Sequence, residues 1–452
     1  MLVGFAAILS ITSALAGVAG AGGVPADLAA HMSPISADVV SHDIGSRSAV
    51  GDAPAGSTRA GLLAAGTLGV LSRVSTADIP AYVESHRTAL DAMLVNPPRA
   101  SDVAALWKLI DPRKQASLVK AAPHVVGNLE GIPYSVRGQA NVLDLKQTIA
   151  ETRENLSSES GKAERLTLKR TLDTLQNVKK ALAKHDGVTR TLIGLDTSSD
   201  ARAAIVIGDL SKAHFVSYLV PGMYMSVDEQ IVDWAKVAQE LYNSQTDWLR
   251  RLLGPRGSQV TPAVATVAWI GYQTPELMNI GGLDLATQGA NNLELSLEGL
   301  QSIRQTDPPF VSVFAHSYGS TAALLALERH TVTIDALALL GSPGSDAQSV
   351  SQLSVRDGNV FVGQAPMDPI VHSAFFGSDP GASAYGAQKM GVSGGIDPIT
   401  EKKLAGSSGH NEYFATGSES MRNLALIGID MGDLVMDGTS AGSPTETTAS
   451  AR

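Results

Sequence analysis

The spacing of apolar residues changes near residue 200 and separates a helical region from an alternating one. Between residues 76 and 195, apolar positions recur every three or four residues, as on helices with one buried face. Two amphipathic segments, Val142 to Asn155 and Gly161 to Lys184, follow each other closely and predict a helical hairpin. We expect this hairpin either to cover the hydrophobic core or to act as a lid over a functional site.

After residue 196, short and nearly continuous apolar segments alternate with helical ones. This order predicts a mostly parallel sheet with helices on both faces, so the fold class is α/β with a helical region in front. The predicted strands span residues 203–209, 214–220, 263–272, 310–314, 334–340 and 359–362. The predicted helices among them span residues 227–253, 293–304, 320–329 and 418–429. In such folds, functional groups gather at the carboxyl ends of the strands.

The two ends of the chain differ in amino-acid composition from its middle. Residues 1–26 carry no charged side chain and contain a long apolar run, which predicts a signal peptide or a membrane anchor. No Lys or Arg precedes this run, so a cleaved signal, an uncleaved anchor and a buried helix all stay open. Residues 27–75 are interpreted as a linker with a short apolar segment, and residues 437–452 as a disordered tail. The location we expect is outside the cell or at the cell envelope.

Composition narrows the classes of function. The 34 basic and 44 acidic residues give a net charge of −10 without a strongly basic stretch, which argues against nucleic-acid binding. The sequence has no cysteine, which excludes disulfides, a thiol nucleophile and thiolate metal ligands. It shows neither metal-ligand spacing nor a phosphate-binding loop, so we expect no metal and no cofactor.

One segment of the alternating region carries recognisable chemistry. The predicted strand that ends at Phe314 runs into Ala315-His316-Ser317-Tyr318-Gly319, and a predicted helix follows at once. A serine among small residues between a strand and a helix is typical of a nucleophile elbow, which holds the hydroxyl above the sheet. Ser317 is therefore the candidate nucleophile, and the alternative is a serine that caps the helix. Ala315 stands where such elbows usually have glycine.

A serine hydroxyl is a weak nucleophile and needs a base to take its proton. The base follows the serine in the chain order of this type of site, which leaves His330, His372 and His410. His410 lies in a late loop before the last predicted helix and is the candidate base, with His372 as the alternative. His330 ends the helix that follows the elbow, so we expect it to lie far from the serine hydroxyl.

The base in turn needs an acid that orients it. Asp368 follows the last predicted strand directly and precedes a proline that fixes the turn, so it is the candidate acid. Asp379, in a nearby Ser-Asp-Pro turn, is the competitor. Asp346 follows an earlier strand and is less favoured.

The negative charge that develops during acyl transfer needs two backbone N–H donors. We expect one from Tyr318, the residue after the nucleophile. The other is predicted in the loop that follows the strand ending at Val220, at Gly222 or Met223. A glycine at that point lets the backbone approach a substrate closely.

The motifs, taken in order, resemble a known family. The chain is similar over roughly residues 105–430 to actinobacterial α/β-hydrolases known as a domain of unknown function. The matching pieces are Ile132-Pro133, Arg137, Ala140-Asn141, Val220-Pro221-Gly222, Ala268-Trp269-Ile270-Gly271-Tyr272, His316-Ser317-Tyr318-Gly319-Ser320-Thr321, Gly341-Ser342-Pro343-Gly344, Met367-Asp368-Pro369, Phe376-Gly377-Ser378-Asp379-Pro380 and His410.

This resemblance implies a hydrolase fold at residues 196–436 with a catalytic triad of Ser317, Asp368 and His410. The sequence departs from the family at Ala315, and at Gln273-Thr274-Pro275, where an acidic residue is common. The resemblance implies no particular substrate.

The observations together predict a serine hydrolase of the esterase or lipase type. Its expected substrate is a small-molecule or lipid ester, cleaved through an acyl-enzyme, and membrane or cell-envelope association follows from the N-terminal segment. The alternative is a catalytically idle fold that serves as a binding module of the cell envelope. The intact order of serine, acid and histidine favours the enzyme.

Overall fold

A mixed β-sheet organises the protein in this computed structural model, which describes residues 59–183, 187–197, 201–254, 263–276 and 279–438. The strands of the main sheet are β1 (Arg190–Asp196), β2 (Arg202–Gly208), β3 (Phe215–Val220), β4 (Val264–Ile270), β5 (Phe310–His316), β6 (Ala336–Leu340), β7 (Val360–Gly363) and β8 (Gln388–Met390). Their spatial order is β1-β2-β4-β3-β5-β6-β7-β8. Strand β2 is antiparallel to both neighbours, whereas β4, β3, β5, β6, β7 and β8 are parallel. A small second sheet pairs β9 (Gly395–Ile396) with β10 (Lys403–Leu404).

Helices come first in the described chain and then alternate with the strands. Those before the sheet are α1 (Arg59–Arg73), α2 (Ile79–Ser85), α3 (Arg87–Val95), α4 (Ala100–Leu109), α5 (Pro112–Ala121), α6 (Pro123–Asn128), α7 (Tyr134–Ser158) and α8 (Lys162–Leu182). Those that follow are α9 (Val227–Leu253), α10 (Asp284–Ile303), α11 (Tyr318–Leu327) and α12 (Glu419–Ile427). Among the described residues, none of these helices combines the length and the apolar character needed to span a membrane.

The parallel strands are buried on both faces, as their continuous apolar sequences predict. Successive residues of a strand point to opposite faces, so Leu219 and Phe314 join one core and Tyr218 and Val313 join the other. Helices α9 and α12 cover the first face, and α10 and α11 cover the second. The predicted α/β class is therefore confirmed.

The predicted helical hairpin is present as α7 and α8. Its apolar residues, among them Ile149, Leu175 and Val178, join the same core as β2 and α9. The hairpin thus covers the core, which is the first of the two roles considered for it. The predicted signal or anchor at residues 1–26 and most of the linker and tail lie outside the described residues.

Some elements differ from the sequence expectation. Residues 190–195 were expected in the helical region but form most of β1, so the sheet begins before the predicted boundary at residue 196. This strand directly follows a long helical stretch and is too short to show its own period. Helix α10 begins at Asp284 rather than Leu293. The Gly and Asn residues of its first half have low helix propensity, so the sequence does not predict a helix there. Packing on α11 stabilises the helix despite this low propensity. Strands β8, β9 and β10 have two or three residues each and carry no periodic signal.

A buried polar cluster joins the helical region to β1. The Arg137 side chain is buried and forms an ion pair with Glu130. It also donates from Nε to the carbonyl of Gly127 at 3.1 Å and from Nη2 to the carbonyl of Ile193 in β1. Asn141, one turn further along α7, donates to the same Gly127 carbonyl at 2.9 Å. Asn141 also donates to the carbonyl of Leu192 in β1 at 3.0 Å, so two residues of the family motif attach α7 to this strand through buried bonds.

Replacing Arg137 by methionine is expected to destabilise the fold strongly. The substitution leaves the Glu130 carboxylate and the Ile193 carbonyl without their partner, whereas the Gly127 carbonyl keeps its bond from Asn141. Losing one member of a buried ion pair lowers the free energy of unfolding by about 3–5 kcal/mol. Urea denaturation of the two proteins at neutral pH measures the difference.

A matched control for this test is Arg87→Met. Arg87 also pairs with a glutamate, Glu84, but the two side chains are 72% and 76% exposed. Exposed pairs contribute little, so we expect a change within about 0.5 kcal/mol. Equal losses in the two variants would contradict a stabilising role for the buried cluster.

Candidate active site

Ser317 occupies a strained turn between β5 and α11. Its backbone has φ 53° and ψ −131°, a region that residues other than glycine seldom adopt. The turn is held by its own hydrogen bonds, because the Ser317 N–H donates to the carbonyl of Leu340 at 2.9 Å. The Ser317 carbonyl accepts from the N–H of Ser320 at 2.9 Å and from its hydroxyl at 2.6 Å. This is the geometry expected of a nucleophile elbow.

The loop after β3 lies directly against the elbow. A methyl group on Gly222 would lie 2.6 Å from Cβ and 3.2 Å from Oγ of Ser317, so only glycine fits without displacement. Ala315 is fully buried and sits between Val220 and Leu339 in the sheet register, where its methyl group packs in the core. The alanine that departs from the family pattern is therefore accommodated without disturbing the elbow.

The structure brings Ser317, His410 and Asp368 together in one hydrogen-bonded row. Nε2 of His410 lies 2.7 Å from Oγ of Ser317. Nδ1 of His410 lies 2.8 Å and 2.9 Å from the two carboxylate oxygens of Asp368. A carboxylate at Nδ1 favours the tautomer with its proton there, which leaves Nε2 free to accept from the serine hydroxyl.

Asp368 is held as a buried carboxylate by several donors. The Tyr413 hydroxyl donates to Oδ2 at 2.6 Å, and the Ile370 N–H donates to Oδ1 at 2.9 Å. Burial alone would raise the pKa of Asp368, but hydrogen bonds from His410 and Tyr413 hold it below its usual value. Gly341 adopts φ +56° beside the pair, and a methyl group there would lie 2.6 Å from Oδ2 of Asp368.

His316, the residue before the candidate nucleophile, contacts the backbone of the candidate base. Its Nε2 donates to the carbonyl of His410 at 2.6 Å, and the two imidazole rings lie 4.7 Å apart. Burial and the neighbouring His410 lower the pKa of His316 to about 3. His316 therefore stays neutral at physiological pH and fixes the loop that carries His410.

The two segments predicted to supply oxyanion donors both adjoin Ser317, one along the chain and one through the close approach of Gly222. Tyr318 is the first residue of α11, and N–H groups in the first turn of a helix have no intrahelical acceptor. The β3 loop is tied down by the Tyr272 hydroxyl, which donates to the carbonyl of Pro221 at 2.7 Å. The Met225 N–H donates to Thr274 Oγ1 at 3.0 Å, so the segment that departs from the family pattern also supports the loop that carries Met223.

Comparison with known proteins agrees with this fold. A sequence profile of the family described as "Alpha/beta hydrolase" matches residues 196–378. An uncharacterised protein of Mycobacterium tuberculosis is 31% identical over 235 residues, which cover 50% of this chain and 85% of that protein. The chain belongs to a family of actinobacterial α/β-hydrolases of unknown function.

Other similar proteins extend the comparison. A second uncharacterised protein of Mycobacterium tuberculosis is 26% identical to this α/β-hydrolase over 390 residues, covering 75% of this chain. The chain spans only 57% of the length of that relative. Among solved structures, carboxyl esterase 2 of the fungus Tuber melanosporum aligns at 13% identity and a TM-score of 0.32, over 56% of this chain and 89% of its own. An esterase of the archaeon Pyrobaculum calidifontis aligns at 10% identity and a TM-score of 0.33, over 62% and 97%.

The alternative acid and base of this α/β-hydrolase pair with each other instead of with Ser317. Nδ1 of His372 lies 2.9 Å from Oδ2 of Asp379, and the His372 side chain is exposed. His330, which the sequence predicts to lie far from the Ser317 hydroxyl, contacts Ser354, with Nδ1 2.6 Å from its hydroxyl. Among the described residues, no group of acidic residues and histidines is arranged to hold a metal ion.

Sequence reasoning missed two residues that contact the predicted site. Tyr413 follows His410 by three residues, yet nothing in its local sequence indicates that its hydroxyl reaches Asp368. His316 was noted as part of the elbow motif, but its bond to a residue 94 positions away depends on the folded chain. Burial of the tyrosine and partial burial of the histidine would have been the signal, and neither can be read from short loop sequences.

Replacing His316 by glutamine is expected to make stability less sensitive to acid. Between pH 6.5, where an unfolded histidine protonates, and pH 3, the unfolded chain binds a proton at His316 that the folded chain does not. Stability therefore falls as the pH decreases through this window, by up to about 1.4 kcal/mol per pH unit from this residue. Urea unfolding between pH 7 and pH 4.5 measures the slope, which we expect to be shallower in His316→Gln.

Glutamine keeps an N–H donor that can reach the His410 carbonyl, so the fold is expected to be retained. Near-ultraviolet circular dichroism at pH 7.5 checks this point. If the free energy of unfolding depends equally steeply on pH in the wild type and in a correctly folded variant, His316 titrates normally in the native protein.

Proposed function

We propose that the protein is a serine hydrolase that cleaves ester bonds through an acyl-enzyme. The observation that supports this proposal is the continuous row of hydrogen bonds from Ser317 through His410 to Asp368, with the serine in a strained elbow. Ser317 is bonded to a base that can take its proton, and that base is bonded to an acid that can orient it. Family membership supports the same class of reaction.

In the first half of the reaction, Oγ of Ser317 attacks the ester carbonyl carbon while Nε2 of His410 takes the hydroxyl proton. The carbonyl oxygen becomes negatively charged and is stabilised by the N–H group of Tyr318 and by that of Gly222 or Met223. Asp368 stabilises the positive charge on His410. The imidazolium then gives its proton to the alcohol oxygen, the carbon–oxygen ester bond breaks, and the acyl group stays on Ser317.

In the second half, water replaces the alcohol. His410 takes a proton from the water as its oxygen attacks the acyl carbon, and returns that proton to Oγ as the serine ester breaks. The products are a carboxylic acid, an alcohol and the original enzyme. Tyr413 and His316 act as positioning residues, because they hold Asp368 and the His410 backbone in place.

A fluorophosphonate probe tests the proposal directly, since it forms a covalent bond only with an activated serine. We expect the purified wild type to be labelled, and Ser317→Ala and His410→Ala to lose labelling. Hydrolysis of a p-nitrophenyl ester is expected to fall by roughly 10⁴-fold or more in the same variants, as when a triad member is removed.

His372→Ala is the matched control, because His372 is another loop histidine beside an aspartate but is not paired with Ser317. Its labelling is expected to stay near the wild-type level. A folded wild type that resists labelling would contradict the proposal and favour the idle binding module.

We further propose that the protein is exported or attached to the cell envelope. The support is the uncharged apolar segment within residues 1–26. In an actinobacterial host, the full chain is expected in the culture medium or the envelope fraction, and a variant that starts after residue 26 in the cytosol. Recovery of both forms from the cytosolic fraction would refute export.

A further inference from the structure

Large apolar side chains are exposed around the candidate site. In the part of the chain that the structure describes, two aromatic side chains are more than a third exposed, Tyr224 and Phe375, at 48% each. Met367 is more exposed still, at 78%. Tyr224 follows β3, and Met367 and Phe375 follow β7, so all three lie in loops at the carboxyl ends of parallel strands, where Ser317 also lies.

Tyr224 belongs to the loop that presses on the nucleophile. Gly222, two residues earlier, is the residue whose added methyl group would lie 2.6 Å from Cβ of Ser317. The N–H of Tyr224 donates to the carbonyl of Pro275 at 3.1 Å, which fixes its backbone. The exposed ring therefore extends from a segment that is anchored next to the serine.

Phe375 and Met367 are connected to two other residues of the site, Tyr318 and Asp368. The ring of Phe375 packs edge-on against Phe376 at 4.8 Å, and Phe376 packs against Tyr318 at 5.6 Å. Met367 immediately precedes Asp368, and its N–H donates to the carbonyl of Ser408 at 3.0 Å. Met367 and Tyr224 are thus chain neighbours of Asp368 and Met223, and Phe375 is two ring contacts away from Tyr318.

The backbone is strained where two of these side chains are presented. Tyr224 has φ 58°, and Ala374, which precedes Phe375, has φ 45°. Both values lie in the left-handed region, which is unfavourable for residues other than glycine. Exposure of apolar surface and backbone strain both cost free energy, and their coincidence at one site indicates a functional use.

We propose that Tyr224, Met367 and Phe375 form an apolar rim that binds an alkyl chain of the ester substrate. The proposal rests on the serine hydrolase function above and assigns its substrate class, esters that carry a chain of several methylene groups. Burial of that chain against the rim removes apolar surface of both partners from water. The chain belongs to either the acyl or the alcohol part of the ester.

Ester series that differ in chain length test this assignment. The wild type is expected to hydrolyse p-nitrophenyl octanoate with a higher kcat/KM than p-nitrophenyl acetate, or octyl acetate with a higher value than ethyl acetate. In Phe375→Ser and Met367→Ser we expect this preference for the long chain to fall about ten-fold, the size of effect produced by lost apolar contacts in a binding pocket. The two series distinguish a chain on the acyl side from one on the alcohol side.

Two further variants separate binding from nonspecific damage. Phe375→Leu keeps an apolar side chain and is expected to retain most of the preference. Leu109→Ser removes an even more exposed apolar side chain, 83% accessible, from helix α4 and is expected to leave the preference unchanged. A wild type without a long-chain preference, or rim variants that keep it in full, would overturn the proposal.

A binding measurement distinguishes failure of the rim from failure of the proposed function. Calorimetry with octanamide and with N-octylacetamide, which resemble esters with the chain on the acyl and on the alcohol side, is carried out on Ser317→Ala with and without Phe375→Ser. Binding that is weakened by Phe375→Ser supports the rim even if the protein hydrolyses no ester. Labelling of Ser317 by the fluorophosphonate, together with binding of both amides that is indifferent to Phe375→Ser, would refute the rim alone.

Discussion

The close approach of two backbone segments is the constraint on which the candidate site depends. The loop after β3 and the elbow after β5 come so near that Gly222 has no room for a methyl group beside Ser317. Parallel pairing of β3 with β5 sets this distance, since Val220 and Ala315 are direct partners at the ends of the two strands. The serine hydroxyl and the loop proposed to stabilise the oxyanion are therefore positioned by the sheet itself.

Hydrogen bonds between loops that are far apart in the sequence also hold the candidate site together. His410 is reached from both sides, by Asp368 at its ring and by His316 at its carbonyl. Tyr413 fixes Asp368 and also accepts from the N–H of Ala365 at 2.9 Å, just after β7. The loops that carry the acid and the base thus form one hydrogen-bonded unit. Only the loop that carries the acid directly follows a strand of the main sheet.

Much of this arrangement is readable from the sequence, and the limits have physical causes. The strands around Ser317 are continuous apolar runs, so their boundaries and the chain order of the three polar residues predict which loops meet. The roles of Tyr413 and His316 are not readable, because each depends on a partner 45 or 94 residues away. Strand β1 was missed because its few residues follow a strong helical pattern directly, and its place in the sheet depends on pairing with β2.

The neutral state of His316 has a consequence for charge balance during a reaction cycle. The ring of His316 lies 4.7 Å from that of His410. A second imidazolium at that distance would repel the first, raising the energy of the charged intermediate at the moment it forms. With a pKa of about 3, His316 supplies a hydrogen bond without a charge. In the proposed acylation step, the negative charge of Asp368 then faces one imidazolium, that of His410, and no second imidazolium repels it.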